Sequence, residues 1–255
     1  FVSAAEGLSP LDQGFLLGLG LFETLGAVED RLPLWDRHLA RLEAGAAVVG
    51  IPFAPPADLQ EAASELLRRR RHAGQILRIT LTAGVADTPT WCLTSRKRER
   101  GPEPVRLHVS EFHRSDADPI AGLKSTSYAF YHAARERALA SGADEALLLG
   151  PTGLVLETAT GNVFFRSQGV LHTPGAGNFL PGIARQVLLE ELTAEGTPVE
   201  EGDYSLAQLR EADAIFVTNA VYGPRSACFS DGGKPTPDEI LAGILRLAWQ
   251  RVLQG

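Results

Sequence analysis

The order of apolar and polar positions along the chain predicts alternating strands and helices. In the first third, apolar residues at helical spacing predict a helix over 36–50, with Asp36 as its N-cap and Gly50 at its end. A second predicted helix, 57–74, closes with a run of four arginines before a glycine. Short apolar and β-branched runs predict four strands, over 21–28, 32–35, 75–84 and 104–112.

A polar stretch, "HRSDADPIAG" (113–122), interrupts this pattern and contains both Pro119 and Gly122. Beyond it, the pattern resumes with helices and strands in mixed order. The predicted helices are 128–142, 182–196 and one from Pro237, and the predicted strands are 145–150, 154–157, 162–173 and 213–220. We therefore predict an α/β (α+β) protein of two lobes, with an N-terminal domain 1–112, a linker 113–122 and a C-terminal domain 123–255.

Composition narrows the class of protein. A length of 255 residues with 44% apolar residues is typical of a globular protein, and a net charge of −7 argues against nucleic acid as a general partner. The two cysteines and the spacing of the six histidines predict neither a disulfide framework nor a metal site. The apolar run "FLLGLGLF" is too short to span a bilayer, and we expect a cytoplasmic protein without a membrane anchor.

Three lysines stand in the chain, and Lys124 has the least ordinary setting. Lys97 and Lys234 lie among charged or turn residues, whereas Lys124 lies in "GLKSTSYAF", among small polar residues. Arginine, which carries most of the positive charge here, cannot become an amine nucleophile at biological pH. Lys124 is therefore a candidate where chemistry needs an amine. Glu157 is a second candidate, because it ends an apolar strand and must meet solvent or a positive partner there.

Other candidates could bind an anion. The loop "TPGAGNFLPGIARQ" runs into a predicted helix whose first amides include those of Ile183 and Ala184. Arg41 could hold a phosphate, although a solvated arginine is the ordinary alternative. Asn219 could add a donor or simply form a turn. An amine, a carboxylate and a phosphate site are together what pyridoxal 5′-phosphate requires of a protein.

The order of the motifs along the chain and their residue sequences strengthen this interpretation. The segments "GLGLFETL", "HLARL", "LKSTSY", "ADEALLLGPTGLVLETATGNVFF", "FLPGIARQ" and "ADAIFVTNAVYG" closely resemble those of the class IV pyridoxal-phosphate aminotransferases. The resemblance covers about residues 8–232. It implies the two-lobed fold type IV, like that of D-amino-acid aminotransferase, and a homodimer that acts on a small-molecule amine or amino acid.

The resemblance also implies roles. Lys124 matches the lysine that binds the cofactor covalently, Glu157 the partner of the pyridine nitrogen, and Arg41 the phosphate arginine. Three further groups of residues match cofactor-binding positions of the family. Tyr128 lies near the position of a tyrosine that, in some members, hydrogen-bonds the cofactor's phenolic oxygen. The phosphate-binding amides match Ile183 and Ala184, with alanine in place of the usual threonine, and a further phosphate turn matches Asn219 and Ala220.

Other departures from the family pattern are Leu19, Gly26 and Ala83, where an acid and two arginines are common. They fall in loops that shape the substrate pocket, so the substrate stays open. The short chain, "FETL" and "KSTSY" favour aminodeoxychorismate lyase, which gives p-aminobenzoate and pyruvate. The alternatives are an aminotransferase for branched-chain or D-amino acids, and an inactive protein that only carries the cofactor or binds a metabolite.

Overall fold

The structure, a computed structural model, describes residues 7–70, 74–86, 88–99, 101–115, 117–175, 178–197 and 199–254. Its contacts divide the chain into two compact units. Unit 1 comprises Phe1–Arg98 and Leu123–Tyr128, and unit 2 comprises Glu99–Gly122 and Ala129–Gly255. One division, between Gly122 and Leu123, falls at the end of the predicted 113–122 linker, and the others fall after Arg98 and after Tyr128. The linker itself remains a prediction. In the described part of the chain, no helix has the length and apolarity needed to cross a membrane.

Unit 1 is a three-stranded antiparallel sheet packed against helices. Its strands follow the order β1-β2-β3. The strands are β1 Gly20–Ala27, β2 Gln75–Val85 and β3 Thr88–Lys97, and the helices are α1 Gln13–Leu17, α2 Trp35–Val49 and α3 Leu59–Arg70. Leu25 and Ile79 of the sheet and Leu42 and Leu67 of the helices are buried in one apolar core. Burial of such side chains is worth about 1.5–3 kcal/mol each and fixes the sheet on which the candidate residues lie.

Two details predicted for this unit are wrong. The segment "LPLW" is no strand, because Leu34 adopts a left-handed conformation (φ 61°) and starts α2. Asp36 consequently lies inside the first helical turn, where its charge suits the helix dipole, rather than at the N-cap. Gly50 ends α2 with φ 72°, as predicted. Helix α3 ends at Arg70, and the predicted continuation over 71–73 lies outside the described residues.

Unit 2 is built on an eight-stranded mixed sheet. Its order is β6-β5-β4-β11-β10-β7-β8-β9. The strands are β4 Val105–His113, β5 Glu145–Leu149, β6 Val155–Thr158, β7 Asn162–Ser167, β8 Val170–Pro174, β9 Val199–Gly202, β10 Ala214–Asn219 and β11 Gly223–Phe229. The helices are α4 Ala129–Ala140, α5 Ile183–Ala194, α6 Leu206–Arg210 and α7 Glu239–Gln254.

The central strands of this sheet carry the residues of interest at their ends. β10 pairs with β7 in antiparallel register, so that Thr218 lies opposite Asn162. Phe164 and Phe216 are fully buried and hold these strands in place. The single strand predicted over 162–173 is instead the hairpin β7–β8, which turns at Gln168 and Gly169, both at positive φ.

Candidate active site

Lys124 lies on a segment that extends the sheet of unit 1. The amide of Phe22 donates to the Lys124 carbonyl over 2.8 Å, and the amide of Thr126 donates to the Gly20 carbonyl over 2.8 Å. The Thr126 hydroxyl also donates to the Gly18 carbonyl over 2.9 Å. These bonds explain the small polar residues after Lys124, because each hydroxyl or amide fastens the segment to the edge of β1.

Aromatic and charged side chains surround the Lys124 amine. Its Nζ lies 4.7 Å from the centroid of the Phe22 ring, and Tyr128 meets the same ring edge-on at 5.7 Å. The guanidinium carbon of Arg78, on β2, lies 3.6 Å from that centroid. Lys124 and Tyr128, both predicted from the sequence, are therefore gathered around one ring, and Arg78 joins them.

Arg41 is held by a carboxylate that the sequence analysis overlooked. Its Nε and Nη2 donate to the two oxygens of Glu23 over 2.8 and 2.7 Å, the two-pronged geometry that suits a guanidinium. His38 Nδ1 lies 2.6 Å from Glu23 Oε2. Glu23 is fully buried. The signal available in the sequence was a glutamate within the mostly apolar run "LFETL".

Electrostatic interactions stabilise the buried group of Glu23, His38 and Arg41. Burial alone would raise the pKa of Glu23, but the charge and hydrogen bonds of Arg41 and the bond from His38 outweigh it and lower the pKa to about 2. Burial lowers the pKa of His38, against the pull of Glu23, and the positive charges of Arg41 and Lys124 lower it further. His38 is therefore neutral at pH 7 and donates from Nδ1. A guanidinium has five N–H donors, so the bond to Glu23 is compatible with a second anion.

Glu157 lies at the end of β6 in unit 2 and is buried. Its Oε1 accepts a hydrogen bond from the Tyr131 hydroxyl over 2.9 Å, and its Oε2 accepts one from the Leu180 amide over 3.3 Å. Sequence reasoning named Tyr128 and missed Tyr131. The signal was weak, because Tyr131 lies on α4 and nothing in its spacing links it to β6.

The start of α5 lies beside Glu157, because Leu180 is three residues before Ile183. Gly182 is the N-cap and offers no side-chain oxygen, so the first amides of the helix, at Ile183 and Ala184, have no partner within the helix. A side chain at Gly182 would not fit, since its Cβ would lie 1.9 Å from Asn162 Oδ1. The amides of Ile183 and Ala184 are thus available as donors at a closely packed helix N-terminus.

Asn219 builds the turn after β10 in the same unit. Its Oδ1 accepts from the amides of Val221 and Tyr222 over 3.1 and 3.0 Å, and its Nδ2 donates to the Thr160 carbonyl over 3.3 Å. The Thr160 hydroxyl in turn donates to Glu145, whose pKa is raised by burial. The side chain of Asn219 therefore orders the turn that carries Ala220, while the hydroxyl of Thr218 before it is buried without a hydrogen-bond partner.

Each of the two units carries groups that suit part of a phosphorylated pyridine. Unit 1 brings together the amine of Lys124, Tyr128 and Arg41, and unit 2 brings together Glu157, the amides of α5 and the turn after β10. Phosphate can accept hydrogen bonds from an arginine, from the first amides of a helix and from a hydroxyl that lacks another partner. A buried carboxylate such as that of Glu157 can pair with a protonated ring nitrogen. None of the described His, Cys, Asp and Glu residues form a group that could hold a metal ion.

Comparison with known proteins points the same way. The family model for amino-transferase class IV matches residues 20–227. A "Probable branched-chain-amino-acid aminotransferase" of Rickettsia conorii is 30% identical over 68% of this chain and 59% of that relative. Aminodeoxychorismate lyase of Bacillus subtilis is 28% identical over 84% of this chain and 78% of that relative. The solved 4-amino-4-deoxychorismate lyase of Pseudomonas aeruginosa has a TM-score of 0.84 at 27% identity, over 96% of this chain and 94% of that one.

These findings confirm three predictions made from the sequence, namely the family, the fold type and the cofactor. Structures similar to this one hold pyridoxal 5′-phosphate or pyridoxamine 5′-phosphate. Because the family match spans β1 to β11, it includes both clusters. The chain belongs to the class IV aminotransferase family of pyridoxal-phosphate enzymes.

Proposed function

We propose that the protein is a 4-amino-4-deoxychorismate lyase that releases p-aminobenzoate and pyruvate. The observation that carries this proposal is the fit of the chain to a solved putative 4-amino-4-deoxychorismate lyase of Legionella pneumophila, with a TM-score of 0.91 at 26% identity over 96% of this chain and 95% of that one. A solved branched-chain aminotransferase has a TM-score of 0.88 at 25% identity. Coverage does not separate the two activities, because a putative branched-chain aminotransferase of Methanocaldococcus jannaschii aligns with 83% of this chain and the Bacillus subtilis lyase with 84%. The motifs "FETL" and "KSTSY" add support from the sequence.

In this proposal, the residues that match the family's cofactor-binding positions hold the cofactor. Lys124 binds its aldehyde carbon, Glu157 holds the proton of its ring nitrogen, and Tyr128 bonds its phenolic oxygen. The phosphate is bound by Arg41 and by backbone amides of Ile183, Ala184, Asn219 and Ala220. When bound, pyridoxal 5′-phosphate supplies an electron sink for a substrate carbanion.

Lys124 also moves the reacting proton. Once the substrate amine takes its place, its Nζ is free to remove the proton from the substrate α-carbon and to return it later. The segment that carries Lys124 is fastened to β1, so the amine is positioned by the backbone rather than by a flexible loop. The ring of Phe22 below Nζ provides an apolar surface that limits access of water.

Arg78 supplies a cation for the substrate. The family arginine near the pocket is Ala83 here, but Arg78 lies on the same strand, β2, and over the Phe22 ring that Lys124 also meets. Its Nε donates to Thr80 over 3.2 Å, which fixes the direction of the guanidinium. The proposal assigns Arg78 to a substrate carboxylate, since aminodeoxychorismate carries carboxylates.

A homodimer is part of the proposal. Unit 1 exposes apolar side chains along and before α1, with Phe15 75% and Leu17 72% exposed, together with Leu11 and Leu16. Monomeric proteins rarely expose a contiguous apolar patch of this kind, and a second copy of the chain would cover it. Analytical ultracentrifugation of the purified protein would show a dimer, and Phe15→Asp would shift it toward the monomer.

An aminotransferase acting on branched-chain or D-amino acids is the second candidate, favoured by the 30% identity to the Rickettsia conorii relative. Both reactions begin with the same proton removal, so the shared residues do not separate them. The test is a product assay with the cofactor-loaded protein. Pyruvate and p-aminobenzoate from aminodeoxychorismate support the lyase, and amino transfer from a panel of amino acids to 2-oxo acids without p-aminobenzoate supports the aminotransferase.

A further inference from the structure

The Tyr131 hydroxyl and the Glu157 carboxylate form a partly buried hydrogen-bonded pair, and the roles above leave Tyr131 unused. The Tyr131 hydroxyl donates to Glu157 Oε1 over 2.9 Å, while the Leu180 amide donates to Oε2 over 3.3 Å. Glu157 is 3% exposed, and a carboxylate so deeply buried must be stabilised by donors. A hydrogen bond to the ionised form favours that form over the neutral acid.

Arg114 fixes the ring of Tyr131. Its guanidinium carbon lies 5.1 Å from the centroid of that ring and 5.2 Å from that of Phe130. Its Nη2 pairs with Asp118 over 2.8 Å, and its amide donates to the Leu149 carbonyl over 3.1 Å. Arg114 is thus buried, with its guanidinium held by Asp118 and its backbone held by Leu149. A cation over a phenol ring draws electron density from it, which makes the hydroxyl a stronger donor.

The sequence gives Arg114 no such role, because it is the second residue of the polar stretch predicted as a linker. In the structure the Asp118 carboxylate binds the guanidinium of Arg114, four residues earlier in the chain. The segment after β4 is therefore part of the support of α4, on which Tyr131 lies. Three successive contacts join Asp118, Arg114, Tyr131 and Glu157.

We propose that Tyr131, held by Arg114, is a positioning residue that orients Glu157 and keeps its carboxylate ionised. The inference rests on the proposed role of Glu157 as partner of the cofactor's ring nitrogen. Glu157 can hold the ring proton only while it is an anion directed at that nitrogen, and the bond from Tyr131 to Oε1 stabilises the anion.

The test compares Tyr131→Phe with Glu157→Gln and with the double variant. Tyr131→Phe keeps the ring and its contact with Arg114 but removes the donor. Loss of a hydrogen bond to a charged group changes an equilibrium or a rate constant by about ten- to a hundredfold. We therefore expect kcat to fall by about that factor, while KM changes little. The pH midpoint of the bound cofactor's absorbance should move in the same direction as in Glu157→Gln, and by less.

The double variant separates positioning from a general structural role. If Tyr131 acts through Glu157, adding Tyr131→Phe to Glu157→Gln should leave the absorbance midpoint where Glu157→Gln alone puts it. Tyr204→Phe is the matched control, since it removes a phenol that bonds the Glu200 carbonyl in the same unit, and it should behave as the wild type. The inference would be overturned if Tyr131→Phe kept the wild-type kcat and absorbance midpoint. It would also be overturned if adding Tyr131→Phe shifted the midpoint as much in the Glu157→Gln variant as in the wild type. If Glu157→Gln itself matches the wild type, the proposed role of Glu157 fails instead.

Discussion

Replacing Glu23 by glutamine tests how Arg41 is held. Glutamine keeps the size of the side chain and one oxygen for Arg41, but it removes the buried charge. The pKa of Glu23 falls from 4.5 to about 2 in the folded protein, which corresponds to about 3 kcal/mol of stabilisation. Loss of one partner from a buried ion pair costs a similar amount, because the other charge stays behind. We expect Glu23→Gln to lower the free energy of unfolding by about 3 kcal/mol at pH 7.

The effect should depend on pH in a defined direction. A carboxyl whose folded pKa is depressed contributes its full stabilisation above the unfolded pKa and loses it as pH falls toward the folded value. The difference between wild type and variant should therefore shrink from about 3 kcal/mol at pH 7 to about 1 kcal/mol at pH 3, and vanish below about pH 2.

Urea unfolding followed by tryptophan fluorescence measures this, since Trp35 is buried in unit 1 together with Glu23. Glu65→Gln is the control, because Glu65 is an exposed carboxylate that also bonds arginines, Arg68 and Arg69, and its loss should leave the unfolding midpoint unchanged. A loss below about 1 kcal/mol at pH 7, or one that is equal at pH 7 and pH 3, would refute the charge argument.

Two other predictions concern packing and the substrate. Gly182→Ala would place a Cβ 1.9 Å from Asn162 Oδ1, so it should destabilise the protein by about 1–3 kcal/mol in thermal unfolding. It should also weaken binding of the cofactor in a spectroscopic titration. Gly243→Ala is the control, because Gly243 has open space around it, and it should change neither stability nor cofactor binding. Arg78→Gln should raise KM for a carboxylate substrate about ten- to a hundredfold at unchanged cofactor affinity, and an unchanged KM would remove Arg78 from the substrate site.

The residues that the sequence could identify are those whose chemistry is local. Lys124 stands out because it is an amine among small polar residues, and the amides of α5 stand out because Gly182 precedes a periodic apolar run. In both cases the neighbours along the chain create the setting. The same is true of α2, whose end at Gly50 follows from a left-handed cap.

The residues that it missed depend on contacts between distant parts of the chain. Glu23 meets Arg41 eighteen residues later, and Tyr131 meets Glu157 twenty-six residues later, distances along the chain that no helical or strand period links. Strand β3 was missed for a different reason. Its side chains are mostly half-buried or exposed on both faces, so it lacks the alternation of apolar and polar positions that marks a strand with one buried face.

The proposed function depends on a covalent bond between Lys124 and the cofactor, and locating that bond tests it. The purified protein is saturated with pyridoxal 5′-phosphate, reduced with borohydride and digested, and the modified peptide is identified by mass spectrometry. We expect one adduct, on Lys124, that is lost in Lys124→Arg while the variant still folds. An adduct on Lys97 or Lys234 instead, or no adduct at saturation, would contradict the claim.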